Sequence, residues 1–488
     1  MLQLITEYFI PTVVPLAYLL GFGFAIDAIV KTRTSQGATA WALGLVLMPF
    51  LSLPMYWVFG RARFSNYINA LRSFDAQVEK MLRGARAPAE TVAIDPKEGH
   101  DRRAQGELRA FEQLATLNFT PGNSVSLLID GDETFRSIFE AIDEAENYVL
   151  VQFYIVRDDI VGGQFRDRLI HAARRGVRVY LLYDEVGSYK LGRKYVGSLR
   201  DAGVHVAGFS GNRRWLSRFR LNFRNHRKIV IVDGKSAFMG GLNVGDEYLG
   251  RDKKLTPWRD THLAISGPAV SGLQYSFARD WYYGHQVTLD LNWTAPGGQA
   301  SVKKGDDQQA LVLASGPADN LETCGLLFTH AIESAEERVW IASPYFVPDG
   351  RVLGALQLAA LRGVDVRIIV PKMTDNVLFK YVPYAYLPEV EKAGAKVYLY
   401  EEGFMHQKVF VVDHDYAAVS TANFDYRSFL YNFEITCLIR GRTFSEDVAT
   451  MLENDLLSCV QLSRQSLEEH TFFFRVATSI TRLIAPIL

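Results

Sequence analysis

The sequence predicts an α/β fold of two duplicated domains, preceded by a two-helix transmembrane hairpin. Three observations carry this: two long apolar runs near the N-terminus, strands that alternate with helices, and a pattern of segments that occurs twice. With 488 residues the chain is long enough for two or three domains. Its 53 Lys and Arg nearly balance its 54 Asp and Glu, so no overall field points to a nucleic-acid partner. Cys324, Cys437 and Cys459 lie far apart, match no zinc-ligand spacing and build no disulfide framework, which fits a reducing environment.

The hairpin comes first. Stretches 8–30 ("YFIPTVVPLAYLLGFGFAIDAIV") and 37–60 ("GATAWALGLVLMPFLSLPMYWVFG") each reach the ~20 apolar residues a bilayer span needs. Asp27 is the one charge inside them, near an end where it can reach the interface. No Lys or Arg precedes the first run and a second follows at once, which disfavours a cleaved signal peptide. The loop carries Lys31 and Arg33, and the exit carries Arg61, Arg63, Arg72, Lys80, Arg83 and Arg86. Positive residues mark the cytoplasmic side. Residues 1–62 are therefore expected to form a multi-pass anchor with both ends inside and the rest of the chain on the cytoplasmic side. Residues 63–122 read as a linker, in which 84–106 shows no apolar periodicity.

The duplication follows, with domains expected at 123–295 and 296–460. "FEAIDEAENYVLVQFYIV" (139–156) answers to "THAIESAEERVWIASPYFV" (329–347), a helix end followed by an apolar strand. "AARRGVRVYLLYD" (172–184) answers to "AALRGVDVRIIVP" (359–371), a helix closed by Gly176 or Gly363 before the next strand. Such alternation implies βαβ units and a mostly parallel sheet covered on both faces. A period of about 180–190 residues is too long for a solenoid and indicates a duplicated domain.

Within each copy one strand begins oddly. "NHRKIVIVDG" (225–234) and "MHQKVFVVDH" (405–414) set a histidine and a lysine two residues apart at the head of an apolar run. On a strand those side chains share a face. A buried ammonium is costly unless an anion meets it. His226, Lys228 and Asp233 correspond to His406, Lys408 and Asp413, and each histidine is followed 17 residues later by an asparagine, Asn243 or Asn423. Asp260 and Glu434 open the next aligned strands, which reach Gly267 and Gly441 after the same interval. One such histidine is most often an ordinary core residue. Two copies of H-x-K-x4-D-x9-N in one strand–turn–strand context are not.

The doubled H-x-K-x4-D motif resembles the phospholipase D superfamily. The two spans ending in "VFGR", the "GGLNVGDEY" after the first motif and "WRDTHLAISGPAV" beyond it resemble bacterial cardiolipin synthases in particular. One departure is visible: Ser420-Thr421-Ala422-Asn423 stands where the family commonly has Gly-Ser-x-Asn, with a hydroxyl kept at position 421. The resemblance implies phospholipase D-like α/β/α sandwich domains meeting at a pseudo-twofold interface with one shared active site. It also implies a bacterial inner-membrane location. His226 is then expected to attack phosphorus and form a phosphohistidine, and His406 to act as general acid and later base. Lys228, Lys408, Asn243 and Asn423 would cradle the phosphate.

The chemistry suits those residue types. Neutral imidazole is a competent nucleophile at physiological pH and leaves readily, a second histidine can protonate the departing oxygen, and ammonium and amide groups can hold the non-bridging oxygens. No metal or other cofactor is required, and the paired lysines would repel one. Asp233 and Asp413 belong to the family motif, yet their odd offset from the histidines turns them away on a regular strand, so a structural part is expected. Asp260 and Glu434 are better placed to bind the far ring nitrogen of each imidazole and fix its tautomer.

The expected substrate is phosphatidylglycerol, two molecules giving cardiolipin and glycerol, with anionic membrane lipids as partners. A hydrolase, a transferase with another acceptor, a tethered nuclease and a silent lipid-binding scaffold stay open as alternatives. The run "GNRRWLSRFRLNFRNHRK" (211–228) mixes basic and aromatic residues that suit either an anionic bilayer or nucleic acid; the membrane spans favour the bilayer. The segment 461–488 ends in an amphipathic stretch with Phe472, Val476, Ile480, Leu483 and Ile487 at helical spacing, suited to an interface or to docking on the core.

Overall fold

A computed structural model describes residues 10–32, 34–60, 67–68, 70–71, 74, 102–209, 223–293, 308–374, 381–462 and 471–484. The basic-aromatic run at 211–222 lies outside them. Helix α1 (Ile10–Lys31) is long and apolar, and its stretch Pro11–Lys31 is the one helix among the described residues with the length and composition to cross a membrane. The run 37–60 is not a second such helix. It divides into α2 (Ser35–Leu47) and α3 (Pro49–Phe59). Pro49 has no N–H and suits the first turn of a new helix better than the middle of an old one. Gly44 and Ser52 would be about 12 Å apart along a straight helix. Here a Cβ on Gly44 would lie 3.0 Å from the Ser52 hydroxyl. At 13 and 11 residues, neither piece alone reaches across a ~30 Å hydrocarbon core. Of the expected two-span hairpin, the described residues show one span-length helix followed by a broken pair. Asp27 pairs with Lys31 and accepts the Tyr56 hydroxyl at 3.0 Å.

The two copies then build one sheet. The first contributes β1 (Thr120–Ile129), β2 (Tyr148–Phe153), β3 (Arg178–Tyr183), β4 (His205–Gly208), β5 (Ile229–Val232), β6 (Ser236–Gly240) and β7 (Thr261–Ser266). The second contributes β8 (Gln308–Ser315), β9 (Arg338–Ala342), β10 (Asp365–Pro371), β11 (Lys396–Tyr400), β12 (Val409–Val412), β13 (Tyr416–Ser420) and β14 (Asn432–Arg440). Their order is β4-β3-β2-β5-β6-β7-β1 and then β8-β14-β13-β12-β9-β10-β11, mirrored about the β1–β8 junction. There Thr120 pairs with Ala310 and Asn123 with Gln308, antiparallel. Among the strands of this order only β2–β3–β4 and β9–β10–β11 run parallel, so the mostly parallel sheet expected from helix–strand alternation is corrected to a mixed one. The reason is the tight turn after each motif strand. Asp233 (φ 55°) and Asp413 (φ 49°) take the left-handed conformation and return the chain at once as an antiparallel neighbour.

Asp130–Glu144, Ile160–Arg174 and Arg193–Asp201 cover one face of the first copy, and Thr323–Ser334, Gly350–Leu361 and Val382–Glu391 cover the matching face of the second. Helix α5 (Val270–His285) and helix α6 (Arg442–Leu457) cover the other face, over an apolar core drawn from both copies. Parts of the expected linker dock on this body. Tyr67, Leu71 and Phe74 are buried in the shared core. Helix α4 (Arg102–Leu114) inserts Phe111 into the outer core of the second copy, and His330 hydrogen-bonds the Glu107 carbonyl at 2.9 Å. Near the C-terminus, α7 (Phe472–Ile484) docks through Phe474 against Tyr381 and Tyr384 and through an Arg482–Glu389 ion pair. Its Phe472, Phe473, Val476 and Ile480 face outward.

Candidate active site

Short parallel pairings at the joint decide how the two motifs meet. The chain entering the first motif, Arg224–Asn225, runs beside Asn432–Phe433 of the second copy. The chain entering the second motif, Phe404–Met405, runs beside Trp258–Arg259 of the first. The His226 amide donates to the Phe433 carbonyl at 2.9 Å, and the His406 amide to the Arg259 carbonyl at 2.7 Å. The next residues along those partners are Glu434 and Asp260, so each carboxylate serves the other copy's histidine. His226 Nδ1 lies 3.0 Å from both Glu434 oxygens and 3.0 Å from the Thr421 carbonyl. His406 Nδ1 lies 2.9 Å from Asp260 Oδ2. Carboxylate contact at Nδ1 favours the tautomer that leaves Nε2 as the basic, outward-turned nitrogen.

The carboxylates are themselves fixed. Glu434 accepts from the Thr421 hydroxyl at 2.7 Å and from the Asn432 amide at 3.1 Å. Asp260 accepts from the Thr261 amide at 2.8 Å and the Trp258 indole at 3.2 Å. Thr421 thus keeps a hydroxyl in use despite the departure from the family's Gly-Ser-x-Asn. Its counterpart, 180 residues earlier, is Gly241, and a Cβ there would fall 2.0 Å from Asp260 Oδ1. Tyr154 lies edge-on to His226 with ring centroids 5.0 Å apart.

Both lysines are buried and donate to the carbonyl of their own histidine, at 2.7 Å in each copy. Lys408 Nζ also lies 3.1 Å from each ring nitrogen of His406. Burial drives the proton affinities. Desolvation lowers His226 to about 4, with Glu434 opposing and Lys228 assisting. His406 is held well below the ordinary histidine range by desolvation, then by Lys408, Lys228 and His226. Lys228 is likewise held well below the usual lysine value, by desolvation first. Glu434, although burial pushes it up, is brought below its ordinary value by His226 and Lys228. Asp260 is raised by burial.

The remaining motif residues are not all at this centre. The Asp233 carboxylate accepts three main-chain amides, from Glu146, Asn147 and Tyr148 at 3.0, 2.7 and 2.8 Å. Asp413 does the same for Glu336, Glu337 and Arg338 at 2.9, 2.7 and 2.8 Å. Both clamp the start of a neighbouring strand. The Asn243 amide accepts from the Ile155 amide and donates to the Tyr248 hydroxyl, both at 3.1 Å. Asn423 is buried with no partner for its side-chain oxygen. Among the described residues no group of three or more His, Cys, Asp or Glu is placed to hold a metal ion.

Spacing alone also missed a layer behind the histidines. Arg227 and Gln407, the middle residues of H-x-K, point to the opposite face of their strands and meet Asp280 of α5 and Asp455 of α6, at 2.8 and 2.6 Å. The available signal was an arginine set between the histidine and the lysine of the motif.

Duplicated α/β halves sharing one histidine–lysine–carboxylate centre at their joint define a protein of the phospholipase D class. More particularly, the chain belongs to the family described as cardiolipin synthase, PLD-like domain, whose model matches residues 138–281 and 328–456. A second model, a phospholipase D-nuclease N-terminal segment, matches residues 19–61. Cardiolipin synthase A of Pseudomonas fluorescens is 42% identical over 489 residues, covering 99% of this chain and 100% of its own. Cardiolipin synthase A of Pseudomonas putida is 44% identical over 484 residues, 99% of each. Among solved structures, a phosphatidylserine synthase of Haemophilus influenzae shares the fold at a TM-score of 0.59 and 16% identity, covering 78% of this chain and all of that one.

Proposed function

We propose that the protein is a membrane-attached cardiolipin synthase that moves a phosphatidyl group between two phosphatidylglycerol molecules. The observation that carries this reading is the crossed pairing: two histidines, each set by a carboxylate from the other copy, converge on one centre with two buried lysines. Full-length similarity to cardiolipin synthases supports the substrate. Attachment at the bacterial inner membrane, with the catalytic body on the cytoplasmic side, is supported by the span-length helix and the positive residues beyond it.

In this reaction Nε2 of His226 attacks the phosphorus of the first lipid, and the bond from phosphorus to the glycerol headgroup breaks. The leaving oxygen takes a proton from His406. The primary hydroxyl of the second phosphatidylglycerol then gives its proton to His406 as its oxygen attacks phosphorus. The P–N bond breaks, and His226 recovers its electron pair. The products are glycerol and cardiolipin. Lys228, Lys408 and the Asn423 amide hold the non-bridging oxygens. Burial first, and then the nearby Lys408 and Lys228, hold the proton affinity of His406 down. An entering phosphodiester anion offsets them and lets His406 carry the proton it must donate.

The test is incubation of the detergent-solubilised protein, and of its His226→Ala variant, with phosphatidylglycerol as sole lipid. Cardiolipin and glycerol are expected from the first and neither from the second. Phosphatidic acid without cardiolipin would make the enzyme a hydrolase.

A further inference from the structure

Held alike at Nδ1, the two histidines are backed by unlike shells. Behind His406, Asp455 binds Gln407 at 2.6 Å and Arg259 through two contacts at 2.7 and 3.1 Å. Behind His226, the fully buried Asp280 receives Gln152, Asn225 and Arg227 on Oδ2 at 2.7, 2.8 and 2.8 Å. Its other oxygen receives the hydroxyl of Tyr67, 213 residues earlier, at 2.7 Å. Tyr67 lies just beyond the membrane helices. Its ring packs on Phe433 at 4.8 Å and Tyr283 at 5.0 Å.

From Asp280 the contacts run on to the reacting centre. Arg227 Nε donates to the Glu434 carbonyl at 3.1 Å, and another of its nitrogens to the Ser315 carbonyl at 3.1 Å. The Glu434 carboxylate holds His226 Nδ1, and the carbonyl of Phe433, whose ring meets that of Tyr67, accepts the His226 amide. Tyr67 therefore reaches His226 by two short routes, one through charge-assisted hydrogen bonds and one through packing. The contacts described around His406 include no residue from the membrane-proximal segment.

We infer that Tyr67 is a positioning residue for His226, so that the segment following the N-terminal helices helps to complete that half of the active site. Without the hydroxyl, the buried Asp280 Oδ1 loses the donor described for it, and the carboxylate must turn to recover one. Turning it shifts Arg227 and the Glu434 backbone with it. The apolar contacts of the ring survive a change to Phe, so the hydroxyl can be tested separately from the packing.

The inference rests on the phosphodiester chemistry proposed above. Full-length Tyr67→Phe, Asp280→Asn and the double variant would be compared with wild type in detergent micelles. The measurements are kcat and KM for phosphatidylglycerol, the pH dependence of kcat, and thermal unfolding. Tyr67→Phe is expected to lower kcat about tenfold with KM within about twofold. The acid limb of kcat should move to lower pH as the Glu434 carboxylate loosens from His226. The double variant should be no slower than Asp280→Asn, because both changes act through one carboxylate. An unchanged kcat and acid limb in Tyr67→Phe, losses that multiply in the double variant, or a fall explained wholly by unfolding would each overturn it. Should Asp280→Asn fail to fold, the kcat and acid limb of Tyr67→Phe decide alone. A wild type yielding phosphatidic acid in place of cardiolipin would sink the transferase reading but leave this comparison valid, since the same histidine is read.

Discussion

Glu434→Gln removes one negative charge from beneath His226 and changes little in shape. In the native site three donors converge on the two carboxylate oxygens: His226 Nδ1 at 3.0 Å, the Thr421 hydroxyl at 2.7 Å and the Asn432 amide at 3.1 Å. A glutamine offers one acceptor oxygen and brings two donor hydrogens. If its oxygen stays on the imidazole, the loss is that of a charge-assisted hydrogen bond, about 1.5–3 kcal/mol, or about 10–150-fold in rate. If its NH2 group turns to Nδ1, the imidazole must carry its proton on Nε2 and cannot attack, and the loss approaches ~10⁴-fold, as for a triad histidine in the wrong tautomer. Initial rates of cardiolipin formation from phosphatidylglycerol would measure this, with Asp260→Asn as the matching change at His406. Both variants should lose at least tenfold while keeping the wild-type unfolding midpoint within a few degrees. A Glu434→Gln enzyme within twofold of wild type would refute the crossed arrangement as the source of histidine activation.

Stability should fall in mild acid. His226 binds its proton near 4 in the folded chain and near 6.5 when unfolded, so its contribution is complete above pH 6.5 and is lost as pH falls toward 4, to about 3 kcal/mol; unfolding midpoints from pH 7 to 4.5 should drop, and less in His226→Ala. Asp233→Ala should cost about 1–3 kcal/mol by leaving amides of Glu146, Asn147 and Tyr148 without an acceptor, while the activity of the folded fraction stays near wild type; a large loss of specific activity without loss of stability would place Asp233 in the catalytic set. Gly241→Ala should lower the rate at least about tenfold by displacing Asp260 from His406; a normal rate would show that Asp260 can yield without consequence.

Much of this could be read before any coordinates. Equal intervals from His226 to Asn243 and from His406 to Asn423 required the same local path in both copies, and the shared Gly267 and Gly441 aligned Asp260 with Glu434. What spacing cannot carry is the partner across a joint. Whether Glu434 meets His406 or His226 depends on Asn432–Phe433 lying beside Arg224–Asn225, a contact between segments some 200 residues apart. The mixed sheet was missed for a related reason: helix–strand alternation is a local signal, whereas Asp233-Gly234 and Asp413-His414 turn the chain straight back within each motif. Tyr67 and Asp280 were illegible because each looks like an ordinary residue on its own segment, and only the shared core brings them together. The break at Met48-Pro49 has a local sign, a proline inside an apolar run.

The crossing of carboxylates and histidines also bears on how such a chain can change over time. A single copy of the domain holds a histidine without its carboxylate and a carboxylate without its histidine, so a lone ancestor could have worked only as a pair of identical molecules. In such a pair both imidazoles would share one environment. Joining the copies in one chain removed that constraint. One histidine now rests on a glutamate and the other on a shorter aspartate, and Arg227 stands where the other copy has Gln407. The two histidines can therefore drift toward different proton affinities, through substitutions in either half.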